Sequence, residues 1–264
     1  MYDFSYHRPN SLNDAARLRA SAEDGLYLAG GHTLIPTLKQ RLAAPSDIID
    51  LSAVPDLSGI HVDETAVTVG AMTRHAEVAS SPEVAQALPV LAELAGQIGD
   101  PAVRNRGTLG GSIANADPAA DYPAAVLGLG ATVITTAREI AGDDFFTGLF
   151  ETALDEGEII TAVRFPIPNA AAYRKFPNPA SRYAVVGVLV ARTESGVRVA
   201  VTGAGAHVFR VPEMEAALAG DFSPDAIADI IVPADDLNAD IHASAEYRAH
   251  LVGVMARRAI SRIA

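Results

Sequence analysis

The stretch LYLAGGHTLIP (residues 26–36) places two glycines between an apolar run typical of a buried strand and a second apolar run that predicts a helix. Glycine loses more conformational freedom on folding than other residues, so a pair is usually kept where the backbone turns sharply or approaches another group closely. GTLGGS (residues 107–112) holds a second pair in a similar setting. We expect both segments to be loops with accessible backbone N–H groups.

The two glycine pairs together predict an anion site. Backbone N–H groups without a Cβ in the way can bind an anion, and the start of a helix adds to the attraction. Thr33, Thr108 and Ser112 add hydroxyl donors. Two such loops could hold the two phosphates of a dinucleotide. For either loop taken alone, an ordinary tight turn is the alternative interpretation.

The composition of the 264-residue chain narrows the functional classes. Apolar residues make up 49% and charged residues 20%, which is typical of globular domains. The formal net charge is -12, which argues against nucleic-acid binding because that depends on neutralising phosphates with Lys and Arg. The chain contains no cysteine, so it cannot itself hold disulfides, iron–sulfur clusters or thiolate zinc sites.

No targeting or membrane segment is expected. The stretch MYDFSYHRPNSLNDAARL (residues 1–18) lacks the basic and apolar regions of a signal peptide. The longest apolar stretch, YPAAVLGLGATVITTA (residues 122–137), is short and interrupted by glycine and threonine. We therefore expect a cytoplasmic protein without a membrane span.

Helix and strand signals alternate along the chain, which predicts an α+β fold. Ser11 is placed to cap a first helix, and the segment 81–99 predicts one helix with Pro82 in its first turn. A change of composition near PIPNAA (residues 166–171) predicts a domain boundary. Beyond it we expect a hairpin turning at residues 194–196 and helices over three segments, 212–220, 223–231 and 244–264.

A serine hydrolase is a weaker alternative. GGSIA (residues 110–114) is similar to a nucleophile elbow with alanine in the last position. Asp117, Asp121 and a later histidine could complete a triad with Ser112. Ser112, however, follows a loop rather than a central strand, and no later histidine has a suggestive context.

Three longer segments resemble the FAD-binding medium subunit of the molybdenum hydroxylases, a family that includes aerobic carbon monoxide dehydrogenase and the flavin part of xanthine dehydrogenase. They are LAGGHTLIP, DPAVRNRGTLGGSIANADPAADYPAAVLGLGA and DDFFTGLFETALDEGEIITAVRFP. The tail, GAGAHVFRVPEMEAALAG followed by ARRAI, is similar to the family's small C-terminal domain, so the resemblance covers nearly the whole chain.

The resemblance implies a two-subdomain FAD-binding fold of the PCMH/VAO type over residues 1–168, divided into 1–57 and 58–168. A sheet-plus-helices domain would follow over residues 169–264. It also implies two FAD-binding loops: Ala29, Gly30, Gly31, His32, Thr33 and Leu34 form the first loop, and Thr108, Leu109, Gly110, Gly111 and Ser112 form the second loop. We assign His32 to cofactor contact, because no metal-ligand partner stands at a useful spacing.

Four further positions match FAD contacts of the family, and each has an alternative role. Asn115 and Asp121 match positions near the ribityl and phosphate groups, but Asp121 could equally cap the next helix. Ile160 matches a residue packed against the isoalloxazine, or it is a core strand residue. Lys175 matches a lysine near the flavin pyrimidine, or it is a solvated strand lysine.

The sequence departs from the family pattern in places. The hairpin in ATVITTAREIAGDDFF (residues 131–146) is shorter than usual. Arg182 and Tyr183 stand where family members often have an acidic residue, which weakens the match at Lys175. The absence of cysteine excludes the branch of the family whose medium subunit carries its own iron–sulfur cluster.

The resemblance implies a noncovalently bound FAD that receives electrons from [2Fe–2S] clusters on a small partner subunit. A large partner subunit would hold the molybdenum cofactor, and the complex would be a dimer of heterotrimers. Quinone or NAD⁺ would reoxidise the flavin. A free-standing flavin oxidoreductase and a scaffold that has lost FAD are the alternatives.

Overall fold

A small parallel sheet begins the chain in the computed structural model, which describes residues 1–263. The strand order is β1-β3-β2, and both pairings are parallel. As predicted, the Ser11 hydroxyl accepts a hydrogen bond from the Asp14 N–H at 3.1 Å and caps the first helix. The elements are β1 Ser5–His7, α1 Leu12–Ser21, β2 Gly25–Leu28, α2 Leu34–Lys39 and β3 Asp47–Asp50.

A five-stranded antiparallel sheet of order β4-β5-β10-β6-β7 forms the second unit, with helices packed against it. The expected short hairpin is present, since only residues 136–138 connect β6 and β7. The elements are β4 Ile60–Val62, β5 Ala66–Gly70, α3 His75–Ser80, α4 Pro82–Ala87, α5 Pro89–Gly96, α6 Pro101–Arg104, α7 Leu109–Asn115, α8 Tyr122–Gly128, β6 Thr132–Thr135, β7 Glu139–Ala141, α9 Gly142–Phe145, β8 Phe146–Gly148, β9 Glu151–Thr152 and β10 Ile160–Pro166.

The single helix predicted over residues 81–99 is wrong, because the segment forms two helices, α4 and α5. Proline has no N–H and disfavours helical dihedrals in the residue before it. Leu88 accordingly adopts φ -143° and ψ 67°, and Pro89 begins α5. The change of direction there keeps the apolar residues of both helices in one core.

A four-stranded antiparallel sheet of order β11-β12-β13-β14 forms the third unit and includes the predicted hairpin. The elements are β11 Ala170–Pro177, β12 Ala184–Thr193, β13 Gly196–Thr202, β14 Phe209–Arg210, α10 Pro212–Gly220 and α11 Ala245–Ile263. The helix predicted over 223–231 is wrong, since only a 3₁₀ turn forms there, over Asp225–Ile227. Ile231 is 81% exposed, so the segment lacks the continuous apolar face that stabilises a helix.

The central strand β12 is buried on both faces. Val186, Val188 and Val190 pack into the core beneath α11. Leu189 and Ala191 point the other way and belong to the core of the second unit. Strand residues alternate between faces, so one apolar strand closes two cores and fixes the third unit against the second.

Helix α8 lies against this sheet through Gly128. A Cβ on Gly128 would overlap Leu189 Cδ2 and would lie 3.2 Å from Leu189 Cβ and 3.3 Å from Ala200 Cβ. The helix can therefore approach the sheet only because this position carries no side chain. None of the helices within residues 1–263 is long and apolar enough to cross a membrane.

We expect Gly128→Val to destabilise the protein by about 1–3 kcal/mol, because the added carbons overpack the contact between α8 and the sheet. Urea unfolding followed by circular dichroism measures the change. Gly220→Ala is the matched control, since no atom lies within 4 Å of its Cβ position. Equal stability of the two variants would contradict this account of the interface.

Candidate functional site

A cavity of about 570 Å³ lies where the three units meet, a size in the range of small-molecule sites. Residues of the first loop line one side, and α7 and the segment that follows it line another. The start of β10 and residues 181–183 of the third unit complete the wall. Predicted residues in the lining are Ala29, Gly30, Gly31, His32, Thr33, Leu34, Thr108, Gly110, Gly111, Ser112, Asn115, Asp121 and Ile160.

Leu109 and Lys175 do not line the cavity. The Leu109 side chain is fully buried in the core of the second unit. The Lys175 side chain is only 3% exposed and lies behind Asp121. The interpretation of Lys175 as a solvated strand lysine is wrong, because its ammonium is buried against Asp121.

The first loop presents a row of backbone donors. Gly31 adopts φ +74°, a left-handed conformation that L side chains disfavour, and it turns the chain into α2. Within residues 1–263, the N–H groups of residues 30–34 donate no hydrogen bond to a protein acceptor. Successive unpaired N–H groups make a concave site that favours anions.

Gly30 lets the first loop approach the chain just before the second loop. A Cβ on Gly30 would overlap the carbonyl oxygen of Arg106 and would lie 2.9 Å from Gly107 Cα. Both obstacles are backbone atoms, which cannot rotate away. The first glycine pair therefore serves two purposes, a close approach at Gly30 and a turn at Gly31.

The second loop differs from our expectation, because the N–H groups of residues 109–112 are already paired. The Leu109 N–H donates to Thr73 O at 3.0 Å, and the Gly110 N–H donates to Ala71 O at 2.8 Å. The Gly111 N–H donates to the Thr108 hydroxyl. A Cβ on Gly110 would lie 2.5 Å from Ala71 Cβ, so this glycine is needed for packing against β5 rather than for access to an anion.

The serine-hydrolase alternative is not assembled. Ser112 lies within the short helix α7, and its hydroxyl makes no hydrogen bond to a histidine in the part of the chain that the structure describes. The Asp121 carboxylate accepts hydrogen bonds from Tyr173 and Lys175 and from no histidine within residues 1–263. A nucleophile needs a base within hydrogen-bonding distance.

Asp121 and Lys175 form a buried ion pair beside the cavity. Lys175 Nζ lies 2.9 Å from Asp121 Oδ1, and the Tyr173 hydroxyl donates to the same oxygen at 2.6 Å. Burial raises the pKa of Asp121, and the nearby Lys175 ammonium opposes that rise. The predicted helix cap is absent, since the Asp121 side chain makes no capping hydrogen bond to α8.

Lys175 also connects two other parts of the cavity wall. Its ammonium donates to Gln97 O at 2.8 Å, at the end of α5, and to Arg182 O at 2.9 Å, in the turn before β12. The two carbonyls and Asp121 belong to different segments of the chain. One ammonium therefore fixes three sides of the site.

His75 is a wall residue that the sequence did not indicate. Its side chain is buried, its ring packs 5.3 Å from the Tyr122 ring, and its Nδ1 has no partner within residues 1–263. Burial lowers the pKa of His75 to about 4, so the ring is neutral at pH 7. No sequence motif marks the position; only the docking of α3 on the second loop brings it to the cavity.

Comparison with known families divides the chain into two matched parts. Residues 2–168 match the family described as FAD binding domain in molybdopterin dehydrogenase. Residues 171–263 match the CO dehydrogenase flavoprotein C-terminal domain.

Individual relatives match along nearly their whole length. The carbon monoxide dehydrogenase medium chain of Afipia carboxidovorans is 38% identical, over 98% of this chain and 96% of that protein. The nicotine 6-hydroxylase medium subunit of Paenarthrobacter nicotinovorans is 40% identical, over 97% of this chain and 95% of that protein.

Solved structures share the fold. The chain matches Cu,Mo-CO dehydrogenase in its cyanide-inactivated form with a TM-score of 0.90 and 35% identity, covering 99% of this chain and 98% of that one. Quinoline 2-oxidoreductase from Pseudomonas putida 86 matches with a TM-score of 0.89 and 30% identity, covering 98% of this chain and 96% of that one.

We expect Lys175→Met to destabilise the protein by about 3–5 kcal/mol near pH 8, because it leaves Asp121 buried without its counter-charge. The pKa of Asp121 in the folded variant then lies further above its unfolded value. The loss of stability relative to the wild type is therefore smallest at low pH, where Asp121 is protonated, and grows as the pH rises through the folded pKa of Asp121. Urea unfolding at pH 5 and pH 8 measures this dependence.

Arg164→Met is the control for Lys175→Met. Arg164 pairs with Glu139 on the surface, where both side chains are well exposed, so its removal should change stability by less than about 1 kcal/mol. A Lys175 variant no less stable than this control would show that the buried pair contributes little.

Proposed function

Because the chain belongs to the family of FAD-binding medium subunits of the molybdenum hydroxylases, we propose that it binds FAD noncovalently in the cavity and acts as an electron-transfer subunit. The observation that carries the site assignment is the row of unpaired N–H groups over residues 30–34, which opens on a cavity of suitable size. FAD, when bound, would take up two electrons, one at a time from a one-electron donor such as a [2Fe–2S] cluster, and would pass them to an external acceptor.

The first loop supplies the anion-binding part of the proposed site. Its N–H groups and the Thr33 hydroxyl are donors for the pyrophosphate, with no side chain between the loop and the ligand at residues 30 and 31. Thr108, whose hydroxyl accepts the Gly111 N–H, holds the second loop in place beneath it. In this proposal the second loop shapes the cavity wall and supports the first loop, and it donates no backbone hydrogen bond to the pyrophosphate.

The remaining wall orients the ligand and excludes water. Asn115 and Asp121 offer side-chain hydrogen-bonding groups to ribityl hydroxyls, and the Lys175 ammonium holds Asp121 in position. Ile159 and Ile160 provide an apolar surface for a flat ring. His75, neutral and buried, adds no charge to the wall.

The proposal includes two partner subunits, a large one with the molybdenum cofactor and a small one with [2Fe–2S] clusters, arranged as a dimer of heterotrimers in the cytoplasm. The acceptor is a quinone or NAD⁺. The division into 1–57, 58–168 and 169–264 is part of the same proposal. Two relatives with similar identity to this chain carry the names of different substrates, carbon monoxide and nicotine. We therefore propose that the large subunit, and not this chain, selects the substrate.

We expect Gly30→Ala to weaken FAD binding at least tenfold, or about 1.4 kcal/mol, because the new methyl group forces the first loop away from Arg106. Calorimetric titration of the apoprotein with FAD measures the affinity. Gly96→Ala is the control, since only Ala79 Cβ lies near its Cβ position, at 3.9 Å. Unchanged affinity for the Gly30 variant would argue against this loop as the FAD site.

A second prediction concerns the electron-transfer role. Loaded with FAD and kept anaerobic, the isolated chain should not be bleached by carbon monoxide, aldehydes or heteroaromatic substrates. Addition of the two partner subunits should allow bleaching by the physiological substrate. Stopped-flow absorbance at the flavin band follows the reaction. Rapid bleaching of the isolated chain would instead support the free-standing oxidoreductase.

A further inference from the structure

The chain bends sharply between α7 and Asp117. Ala116 ends α7 in the left-handed conformation, at φ +47° and ψ 38°, although it carries a Cβ. Such a conformation costs a non-glycine residue about 1–2 kcal/mol. Strain of this kind persists only where the surroundings fix the backbone, and it often accompanies a functional residue. Here the bend brings both Asn115 and Asp117 to the cavity wall.

One carboxylate oxygen of Asp117 accepts a hydrogen bond from the protein, and the other accepts none within residues 1–263. Its Oδ1 accepts the Ala119 N–H at 2.9 Å. No other hydrogen bond to this carboxylate is present within residues 1–263, and the side chain is only half-buried. Burial raises the pKa of Asp117 above its ordinary value, while the Ala119 N–H opposes the rise.

Several charged or titratable groups share the cavity wall with Asp117. Tyr183 lies close to it: burial raises the pKa of the Tyr183 phenol, and the Asp117 and Asp121 carboxylates add to the rise. The others in this lining are Tyr27, His32, His75, Asp121, Glu158 and Arg182. On the opposite side of the 117–120 segment, a smaller cavity is lined by Asp240, His242 and Arg248. Unlike Asp121, Asp117 has no ion-pair partner within residues 1–263.

The distribution of charge sets where the pyrophosphate of FAD lies in the cavity, and the proposed ribityl contacts set the direction of the riboflavin half. The pyrophosphate is attracted to the N–H groups of residues 30–34 and repelled by the carboxylate of Asp117. The pyrophosphate joins two uncharged halves, adenosine and riboflavin, and charge does not distinguish them. In the proposed site the ribityl chain lies at Asn115 and Asp121, which flank Asp117 in the same segment of the wall, so the riboflavin half, with its isoalloxazine, is the one placed toward Asp117 and Tyr183.

We propose that the Asp117 carboxylate lowers the midpoint potential of the bound flavin and loses this effect when it takes up a proton. The inference rests on the proposed FAD site. Two-electron reduction takes electrons from the reductant and protons from solution, and any negative charge left on the ring is disfavoured by a neighbouring carboxylate. Asp117 acts here as a positioned charge and exchanges no electrons.

Asp117→Asn removes the charge and keeps an oxygen that can accept the Ala119 N–H. At pH 8.5 we expect the reduced-to-oxidised ratio of the variant's flavin at a fixed potential to be about tenfold higher than in the wild type, an increase of about 30 mV for a two-electron couple. Burial raises the pKa of Asp117, so lowering the pH from 8.5 to 5 brings the solution closer to that pKa, and the difference should narrow as the carboxyl takes up protons. The measurement is an anaerobic dye-coupled titration of the FAD-loaded full chain.

Asp144→Asn is the matched control, because Asp144 is exposed and lies outside the cavity lining. The midpoint potential of the flavin in this control should equal that of the wild type at pH 8.5 and at pH 5. A potential for Asp117→Asn equal to the wild type, or a difference that stays constant with pH, would overturn the inference while FAD binding remains intact. Failure of the wild-type chain to bind FAD would instead overturn the proposed function.

Discussion

The buried ammonium of Lys175 is the contact on which the site depends. It pairs with Asp121 and donates to two backbone carbonyls, Gln97 O and Arg182 O. These three acceptors come from the end of α5, the start of α8 and the turn that precedes β12. Removing the charge from water is unfavourable, so the arrangement is stable only while all three segments stay in place. The three segments of the cavity wall therefore depend on one another for stability.

Local sequence patterns predicted elements and motifs whose physical cause lies within a few residues. The first loop was predicted from its glycines, and the cap at Ser11 from spacing alone; both are present. The contacts of Lys175 could not be predicted this way, because Asp121 lies 54 residues earlier in the chain. The steric role of Gly110 depends on Ala71, and that contact exists only after α7 has docked on β5.

The two glycine pairs look alike in sequence and differ in the folded chain. At residues 30 and 31 the backbone donors stay unpaired and face the cavity, whereas at residues 110 and 111 they are used within the protein. A shared motif therefore does not establish a shared chemistry. The difference between the loops is decided by the turn that follows β5, because its carbonyl oxygens, Ala71 O and Thr73 O, accept hydrogen bonds from the second loop.

The double burial of β12 has a consequence for synthesis of the chain. The core around α8 stays open until β12 and β13, which follow it in sequence, have left the ribosome. At about 5–20 residues per second, the roughly seventy residues between α8 and the end of β13 take several seconds to translate. During that interval the apolar surface of α8 is exposed on the nascent chain, which makes this stage a natural point for chaperone binding.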